Sequence, residues 1–405
     1  MADRTVDILL VGGGIASATA AHTLREQGFD GSILLVGREP HPPYHRPPAS
    51  KEYLRGEHGP EDAHVHPADW WEPNDVELLT RTSVLDLDTE ARTAKLSTKE
   101  EVGFDRALIA TGAMVRRLSV DGAQLEGVHY LRALGNADGI RAEAQGADAV
   151  VCVGGSYIAS EVAASLTELG KKVTMVMLED HPLQVGFGPT AGHYFRRVLE
   201  EHGVEVIGGD EVMRFEGDER VERVVTARGR ELAAQAVICG VGAIPDVMLA
   251  RKAGLTLGEL GGVLCDSRLR SSADGIHAAG DMCEYDSVVH GRVVRIEHEE
   301  AAAAQGRTVA RNMLGADVPH DEVPYFFSDL SDWASLEYLG PAFSWDDEQV
   351  EGSVDDGAFA IWYREGDRVR AMLSVGGAGD LDRARELIKG SPARSTLLVV
   401  LTVDR

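Results

Sequence analysis

Two glycine-rich turns have the residue types and spacing needed to bind a pyrophosphate. Val-Gly-Gly-Gly occupies residues 11–14 and Val-Gly-Gly-Ser occupies residues 153–156. In such a turn Gly12 can make the tight bend, and Gly14 lets the backbone approach the pyrophosphate. The helix that follows directs its N-terminal N–H groups at the anion. The two turns together predict that the chain holds two dinucleotides.

Each turn lies inside a predicted strand–helix–strand unit. The predicted elements are, in chain order, a strand at 6–11, a helix at 16–27 and a strand at 32–36, then a strand at 149–153, a helix at 159–169 and a strand at 172–177. In the second unit Ser156 and Ala159 stand where glycines are usual, so we expect a tighter backbone approach there. These patterns predict two Rossmann-like nucleotide-binding domains.

The other predicted elements complete an α/β protein with a C-terminal α+β domain. Residues 105–112 and 234–242 each predict a short buried strand that marks a crossing between domains, and the IHAAGD run at 276–281 predicts a strand that returns to the first sheet. The remaining predictions are a helix at 300–314, a hairpin of strands at 358–363 and 369–375, a helix at 381–389 and a packed strand at 397–401.

Composition and charge exclude several classes of protein. The 405 residues carry a formal net charge of −26, which disfavours binding to nucleic acid and to anionic membranes. No apolar run of about 18 residues predicts a membrane span, and the N-terminus lacks a signal-peptide pattern. We therefore expect a cytoplasmic protein.

Neither the cysteines nor the histidines have the spacing of a redox or metal site. The four cysteines stand singly and are expected to be small buried hydrophobes, at positions 152, 239, 265 and 283. Five histidines cluster without matched ligand spacing and are expected to be solvated loop residues, at positions 41, 45, 58, 64 and 66. We predict no metal site, and we interpret Trp70 and Trp71 as core residues.

Seven segments in order carry a family resemblance. They are VGGG (11–14), PPYHRPPASKEYLRG (42–56), ATG (110–112), VGGS (153–156), AAGD (278–281), RIEH (295–298) and PYFFSD (324–329). With them the chain resembles the ferredoxin reductase and apoptosis-inducing-factor branch of the FAD-dependent pyridine nucleotide-disulfide oxidoreductases. The resemblance implies an FAD-binding domain at 1–115 and 243–318, an NAD(H)-binding domain at 116–242 and a C-terminal interface domain at 319–405.

The resemblance gives two residues a catalytic role. It implies that Lys51 pairs with Glu161 near flavin N5. An ammonium there would stabilise the negative charge that arrives with hydride, and Glu161 would orient the lysine and approach the nicotinamide amide. The prolines Pro47 and Pro48 are expected to hold the segment before Lys51 stiff and extended. A surface ion pair is the alternative interpretation.

Further residues are assigned to FAD by the same resemblance. The family's acid for the adenosine ribose follows the second strand, but here Val36 and Gly37 lead to Arg38, so Glu39 is expected to take that role. Asp281 is expected to bind the ribityl chain or pyrophosphate, and His298 either to face the flavin at a helix N-terminus or to be a simple cap. The full predicted set is Gly12, Gly14, Ala16, Glu39, Arg46, Lys51, Val84, Ala110, Thr111, Gly112, Arg132, Gly280, Asp281, Glu297, His298, Glu299 and Phe327.

Two positions depart from the family pattern. Glu299 stands where many members have the tryptophan of EHW, and Phe327 stands where they have the tryptophan of FWSD. A carboxylate beside the flavin ring would disfavour the reduced anion by like-charge repulsion unless it turned to solvent. We therefore expect a more open or differently tuned flavin.

The second turn is assigned to the nicotinamide cofactor. The predicted residues are Gly154, Gly155, Tyr157, Ile158, Glu161, Glu179 and Gly242. An acid at Glu179 can bond both ribose hydroxyls and repel a 2′-phosphate, which favours NADH over NADPH.

The resemblance implies an NADH-dependent flavoprotein reductase that passes hydride to FAD and electrons to a small iron–sulfur protein such as a ferredoxin or rubredoxin. Arg307 and Arg311, four apart on one helix, are candidates for a basic docking patch. The alternative is an apoptosis-inducing-factor-like switch with a stable charge-transfer complex and NADH-linked homodimerisation. A disulfide or persulfide reductase is disfavoured because residues 40–56 contain no cysteine.

Overall fold

The computed structural model describes residues 2–390. Its first stretch contains β1 (Arg4–Val11), α1 (Ile15–Glu26), β2 (Ile33–Val36), α2 (Glu52–Arg55), β3 (Val76–Leu79), β4 (Val84–Asp88), β5 (Thr93–Leu96), β6 (Glu101–Ile109) and β7 (Ala113–Val115). The sheet order is β3-β2-β1-β6-β5-β4. Strands β3, β2, β1 and β6 run parallel to one another. All four residues of β2 are buried, as expected for a central parallel strand covered on both faces.

The second stretch repeats the plan of the first. It contains β8 (Val128–Tyr130), α3 (Leu134–Gly146), β9 (Ala149–Val153), α4 (Tyr157–Glu168), β10 (Lys172–Val176), α5 (Gln184–Glu201), β11 (Glu205–Ile207), β12 (Val212–Glu216), β13 (Arg223–Thr226), β14 (Glu231–Ala233), β15 (Ala236–Cys239) and β16 (Ala243–Pro245). A parallel sheet has the order β11-β10-β9-β15-β8, and β16 pairs with β7 between the two stretches. Both predicted strand–helix–strand units are present, with ends shifted by up to two residues.

The chain then returns to the first sheet. This stretch contains α6 (Met248–Lys252), β17 (Val263–Cys265), β18 (Ile276–Ala278), β19 (Cys283–Ser287), β20 (Arg292–Arg295) and α7 (Glu299–Met313). The predicted return is confirmed, because β18 pairs in parallel with β6. Helix α7 packs so closely on α1 that a Cβ added at Gly306 would lie 2.3 Å from the carbonyl oxygen of Ala16. The two helices therefore cover the same face of the first sheet.

The C-terminal stretch is a five-stranded antiparallel sheet with one helix. It contains β21 (Tyr325–Leu330), β22 (Ala334–Leu339), β23 (Asp347–Ser353), β24 (Ala358–Glu365), β25 (Arg368–Val375) and α8 (Leu381–Lys389), and the strand order is β21-β22-β25-β24-β23. The predicted hairpin is β24–β25, and α8 has the predicted bounds. The predicted strand at 397–401 lies outside the described residues. The predicted fold class, α/β with two Rossmann-like domains and an α+β domain, is confirmed.

Local structure corrects two expectations and supports two others. Residues Pro47–Ser50 form a 3-10 helix rather than an extended segment, because the fixed φ of proline also suits that helix. Of the histidines expected to be solvated, His66 instead stacks on Trp70, with ring centroids 4.1 Å apart. Trp71 is buried in the core, and the four cysteines are buried and free. Among residues 2–390 no helix has both the length and the apolar character to cross a membrane.

Candidate flavin and nicotinamide site

A cleft of about 840 Å³ connects the two glycine turns with the C-terminal sheet. This volume lies within the ordinary range for ligand pockets. The predicted site residues that line it are Gly12, Gly14, Ala16, Glu39, Arg46, Val84, Ala110, Thr111, Gly112, Arg132, Tyr157, Ile158, Glu161, Gly242, Gly280, Asp281, Glu297, His298, Glu299 and Phe327. Lys51, Gly154, Gly155 and Glu179 are outside this lining.

The two turns have matching geometry. Gly12 has φ +117°, and a Cβ added there would lie 2.2 Å from the carbonyl oxygen of Ala110. Gly154 has φ +115°, and its added Cβ would lie 2.3 Å from the carbonyl oxygen of Gly240. Only glycine fits at either position, because any side chain would meet backbone and the conformation is left-handed. Gly14 is the N-cap of α1, as expected for a pyrophosphate-binding turn.

The second turn packs closely against the residue that follows β15. A Cβ added at Gly240 would lie 2.8 Å from the backbone nitrogen of Ala159. The absence of a side chain at Gly240, directly after β15, therefore permits the close approach of α4. Ser156 donates its hydroxyl to the carbonyl oxygen of Gly240 at 2.7 Å. Glu179 Oε2 would be 3.0 Å from a Cβ on Gly155, which places the predicted ribose acid directly beside this turn.

Glu39 is held by two neighbours in the first half of the cleft. Arg46 Nη2 donates to Glu39 Oε1 at 2.7 Å, and the hydroxyl of Tyr44 donates to Glu39 Oε2 at 2.5 Å. Burial by itself would raise the pKa of Glu39, but Arg46 and Tyr44 outweigh it and the pKa is lowered. Glu39 is therefore an ionised acceptor for hydroxyl groups. Tyr44 was not predicted, although it lies within the PPYHRPP segment.

Arg132 and Asp281 form a second ion pair in the cleft wall, with 2.6 Å between Arg132 Nη2 and Asp281 Oδ2. The carbonyl oxygen of Arg132 accepts from Arg46 Nη1, also at 2.6 Å. Within residues 2–390, buried Arg132 Nε and His298 Nδ1 have no hydrogen-bond partner. Polar atoms of this kind in a cleft that begins at a pyrophosphate-binding turn fit the polar groups of FAD.

The predicted Lys51–Glu161 pair is present and buried. Lys51 Nζ lies 3.2 Å from Glu161 Oε1, and the Lys51 residue is 3% exposed. Ser50 donates to Glu161 Oε2 at 2.5 Å and Ser328 donates to Glu161 Oε1 at 2.6 Å. A buried, fully bonded carboxylate excludes the alternative of a surface ion pair.

Sequence reasoning missed the second carboxylate at Lys51. Asp329 Oδ2 lies 2.7 Å from Lys51 Nζ, and it is supplied by β21 of the C-terminal sheet. The PYFFSD motif contains Asp329 and Ser328, so the signal was in the sequence, but their contacts depend on where β21 packs.

Helix α7 begins at Glu299, one residue before the predicted start at residue 300. His298 is its N-cap and makes no side-chain capping bond, so the simple-cap alternative is not supported. The His298 ring lies against Phe326 with centroids 4.3 Å apart, and burial lowers its pKa to about 4. His298 is thus a neutral group in the cleft wall. Phe327 is 46% exposed.

Glu299 is neither free beside the cleft nor turned to solvent, which corrects both outcomes considered from the sequence. Its Oε1 lies 2.7 Å from His45 Nδ1, and its Oε2 accepts from the backbone nitrogen of Arg46 at 2.7 Å. The hydrogen bond to Glu299 raises the pKa of His45. His45 is a loop residue with a 44% exposed side chain, as expected, but its ring is also held by Glu299. His45 lies between Tyr44 and Arg46, two residues of the cleft, and this position was the signal in the sequence for its contact with the site.

Known proteins with similar sequence and structure decide the family. The sequence pattern of the pyridine nucleotide-disulphide oxidoreductase family matches residues 6–306. The chain belongs to this family. Rhodocoxin reductase of Rhodococcus erythropolis is 33% identical over 384 residues, which cover 95% of this chain and 89% of that protein. Rubredoxin-NAD(+) reductase of Pseudomonas putida is 32% identical, with 84% of this chain and 88% of that protein covered.

Within this family, structural comparison places the chain in the ferredoxin reductase branch. A crystal structure of a ferredoxin reductase from Rhodopseudomonas palustris aligns with a TM-score of 0.88 at 29% identity and covers 96% of this chain and 100% of that one. The predicted family, the oxidoreductase activity and the cofactors FAD and NAD(H) are confirmed. The similar proteins match the reductase prediction better than the apoptosis-inducing-factor-like alternative.

Proposed function

We propose that the protein takes hydride from NADH onto FAD and passes electrons to a ferredoxin or a rubredoxin. The observation that carries this proposal is the buried Lys51–Glu161 pair, whose Glu161 lines the same cleft as the Gly12 turn. The names of the similar proteins support the acceptor class, since one is a rubredoxin reductase and others are ferredoxin reductases.

The chain's residues supply charge and position to the reaction. FAD, when bound, takes up two electrons as a hydride and can release them singly. The ammonium of Lys51 supplies a fixed positive charge where negative charge arrives, in a site with little water to screen it. Ser50 and Ser328 hold the Glu161 carboxylate, and that carboxylate holds the lysine. The first glycine turn and Arg132 are assigned to the FAD pyrophosphate and its surroundings.

NADH is proposed as the preferred coenzyme because of Glu179. Its carboxylate faces the turn at Gly155, at the place where a ribose would follow the pyrophosphate. A 2′-phosphate would meet this negative charge at short range, whereas two ribose hydroxyls could donate to it. Binding of the nicotinamide end is assigned to Tyr157, Ile158 and Glu161, which line the cleft.

The proposed domain division follows the predicted boundaries: FAD at 1–115 and 243–318, NAD(H) at 116–242, and an interface domain at 319–405.

Of the proposed basic patch, Arg307 is paired with Glu322 at 3.2 Å, while Arg311 is exposed. A docking iron–sulfur protein would therefore have to compete with Glu322 for Arg307. Cytoplasmic location and homodimerisation stay predictions.

Stopped-flow reduction by NADH, followed by mixing with a ferredoxin or rubredoxin, tests the proposal. We expect the visible absorption band of the flavin to bleach with NADH and to return rapidly with the acceptor. A purified protein that binds no FAD would contradict the proposal. A long-lived charge-transfer band that persists with both acceptors, together with an NADH-dependent change in mass, would favour the redox-switch alternative.

A further inference from the structure

The Glu299–His45 contact joins the start of α7 to the loop that leads to Lys51. Both carboxylate oxygens of Glu299 are used, one by the imidazole of His45 and one by the backbone N–H of Arg46, each at 2.7 Å. The Glu299 side chain is 19% exposed and that of His45 is 44% exposed. The pair therefore has its acid on the cleft side and its base towards water.

Glu299 lies among residues assigned to the flavin end of the cleft. It follows His298, whose ring packs on Phe326, and β21 continues from Phe326 to the Lys51 ligand Asp329. Glu299 itself lines the cleft together with Phe327. A bare carboxylate in this wall would repel negative charge placed on a bound flavin, since the interaction of two charges is only partly screened near a protein surface.

We propose that His45 compensates the charge of Glu299, so that the proton on His45 sets how easily the bound flavin is reduced. With His45 protonated the pair is neutral and the flavin gains an electron pair beside no net charge. When His45 loses its proton, Glu299 is left as an uncompensated anion and the flavin becomes harder to reduce. This proposal rests on the FAD site of the proposed function and adds a positioning and charge-tuning role that the sequence resemblance does not assign.

The acidic groups around the pair favour the protonated form of His45. His45 faces Glu299 and Glu300 on α7, and both carboxylates raise the pKa of His45. Burial, together with repulsion by His22 and by His45, lowers the pKa of the neighbouring His66. Other charged and titratable residues on the same loop and in the cleft wall include Glu39, His41, Tyr44, Arg46, Asp281, Glu297 and His298.

The flavin midpoint potential as a function of pH tests the proposal. In His45→Gln the potential should be lower than in the wild type at acidic pH, by about 30 mV if the reduction equilibrium changes tenfold for this two-electron couple. The two curves should converge above the pH at which His45 loses its proton. In Glu299→Gln the potential should be higher than in the wild type at alkaline pH, where the wild-type carboxylate is uncompensated.

Two control variants separate this effect from general changes in charge. Glu300→Gln removes the neighbouring carboxylate on α7 but leaves the 2.7 Å contact between His45 and Glu299. In the Glu300→Gln background, His45→Gln should therefore still lower the flavin potential at acidic pH. His58→Gln removes an exposed histidine of the same region, and the potential should not change. A His45→Gln variant whose potential equals the wild type at every pH, or differs by the same amount at every pH, would overturn the proposal.

A measurement on the unmodified holoenzyme covers the case in which a variant loses FAD. Because the coupling between two equilibria is reciprocal, reducing the flavin should raise the pKa of His45 by about one unit for every 30 mV. Histidine NMR titration of the oxidised and the reduced protein gives both pKa values. An equal pKa in the two states would overturn the charge-compensation proposal while leaving the proposed reductase function intact, whereas a protein without bound flavin would overturn both.

Discussion

The ammonium of Lys51 lies 2.7 Å from the carboxylate of Asp329, a residue 278 positions further along the chain. This contact is shorter than the 3.2 Å between Lys51 Nζ and Glu161 Oε1. Lys51 is thus tied both to α4 and to the C-terminal sheet. The position of the proposed catalytic cation depends on how the C-terminal sheet packs against the rest of the molecule.

Replacing Lys51 with alanine should slow flavin reduction by NADH by about 100-fold, as expected when a fixed donor at developing negative charge is removed. FAD binding should persist, because the glycine turn, Glu39 and Arg132 are unaffected. Stopped-flow bleaching of the flavin measures the rate, and the visible spectrum measures the FAD content. Lys51→Arg, which keeps the charge, is the matched control. A Lys51→Ala rate equal to the wild type would remove Lys51 from the mechanism.

Asp329→Asn tests the second anchor. Losing one hydrogen bond to a charged group costs about 1.5 kcal/mol, so we expect flavin reduction to slow by about tenfold, less than in Lys51→Ala. The KM for NADH should change little, since Asp329 contacts Lys51 and not the second glycine turn. Asp332→Asn, in the loop after β21, is the control and should keep the wild-type rate. An Asp329→Asn rate as low as that of Lys51→Ala would mean that Asp329 does more than position the lysine.

The matching geometry of Gly12 and Gly154 allows the two dinucleotide sites to be separated. An alanine at either position would place Cβ about 2 Å from a backbone carbonyl oxygen, which the local backbone cannot accept without shifting. Gly12→Ala should purify without FAD. Gly154→Ala should keep FAD but lose reduction by NADH, while dithionite still bleaches it. Retention of rapid NADH reduction in Gly154→Ala would contradict the assignment of the second turn.

Glu179→Gln tests the coenzyme preference. Loss of charged hydrogen bonds to the ribose should raise the KM for NADH by about tenfold, and loss of repulsion should lower the KM for NADPH. Steady-state rates with each coenzyme give the ratio of kcat/KM values. Glu219→Gln, an exposed acid of the same stretch, should leave this ratio unchanged. An unchanged ratio in Glu179→Gln would show that selectivity lies elsewhere.

Acidification should destabilise the protein through buried neutral histidines. Burial lowers the pKa of His277 to about 4, and within residues 2–390 neither of its ring nitrogens has a hydrogen-bond partner. The unfolded chain, with a histidine pKa near 6.5, binds the proton first, so stability is complete above about pH 6.5 and is lost as the pH falls towards 4. The cost from His277 is at most about 3 kcal/mol.

Urea unfolding of His277→Leu between pH 7 and pH 4.5 checks this expectation. The variant should lose less of its free energy of unfolding over that interval than the wild type does. His58→Gln, which alters an exposed histidine, should follow the wild-type curve. Parallel curves for His277→Leu and the wild type would show that His277 does not titrate in this range.

The cofactor turns and their flanking strand–helix–strand units were predictable because they depend on local pattern. A glycine at Gly12 or Gly154, an apolar strand before it and a helix after it are all within one stretch of chain, so spacing alone identifies them. The ends of strands were less predictable, as β6 shows by extending four residues before the predicted start at residue 105. Its extra residues pair with β1 and β5, and pairing partners are not read from one strand's own sequence.

Glu299 shows where sequence reasoning stopped. Its position next to His298 gave it a place at the cleft, and its charge gave an argument about repulsion, but the sequence could not supply its partner. His45 lies 254 positions away, and it reaches Glu299 only because α7 returns to the first sheet beside the 42–56 segment. The same folding turned an isolated acid into half of an ion pair.

The sequence alone determined the two nucleotide-binding units and the family resemblance, because these follow from short motifs in a fixed order, and the pairing of Lys51 with Glu161 was what that resemblance implied. Only the tertiary structure decided which charges meet: Asp329 with Lys51, His45 with Glu299, and Arg46 with Glu39. Electrostatic interactions fall with distance and depend on burial, and both quantities are set by the packing of remote segments rather than by the order of residues.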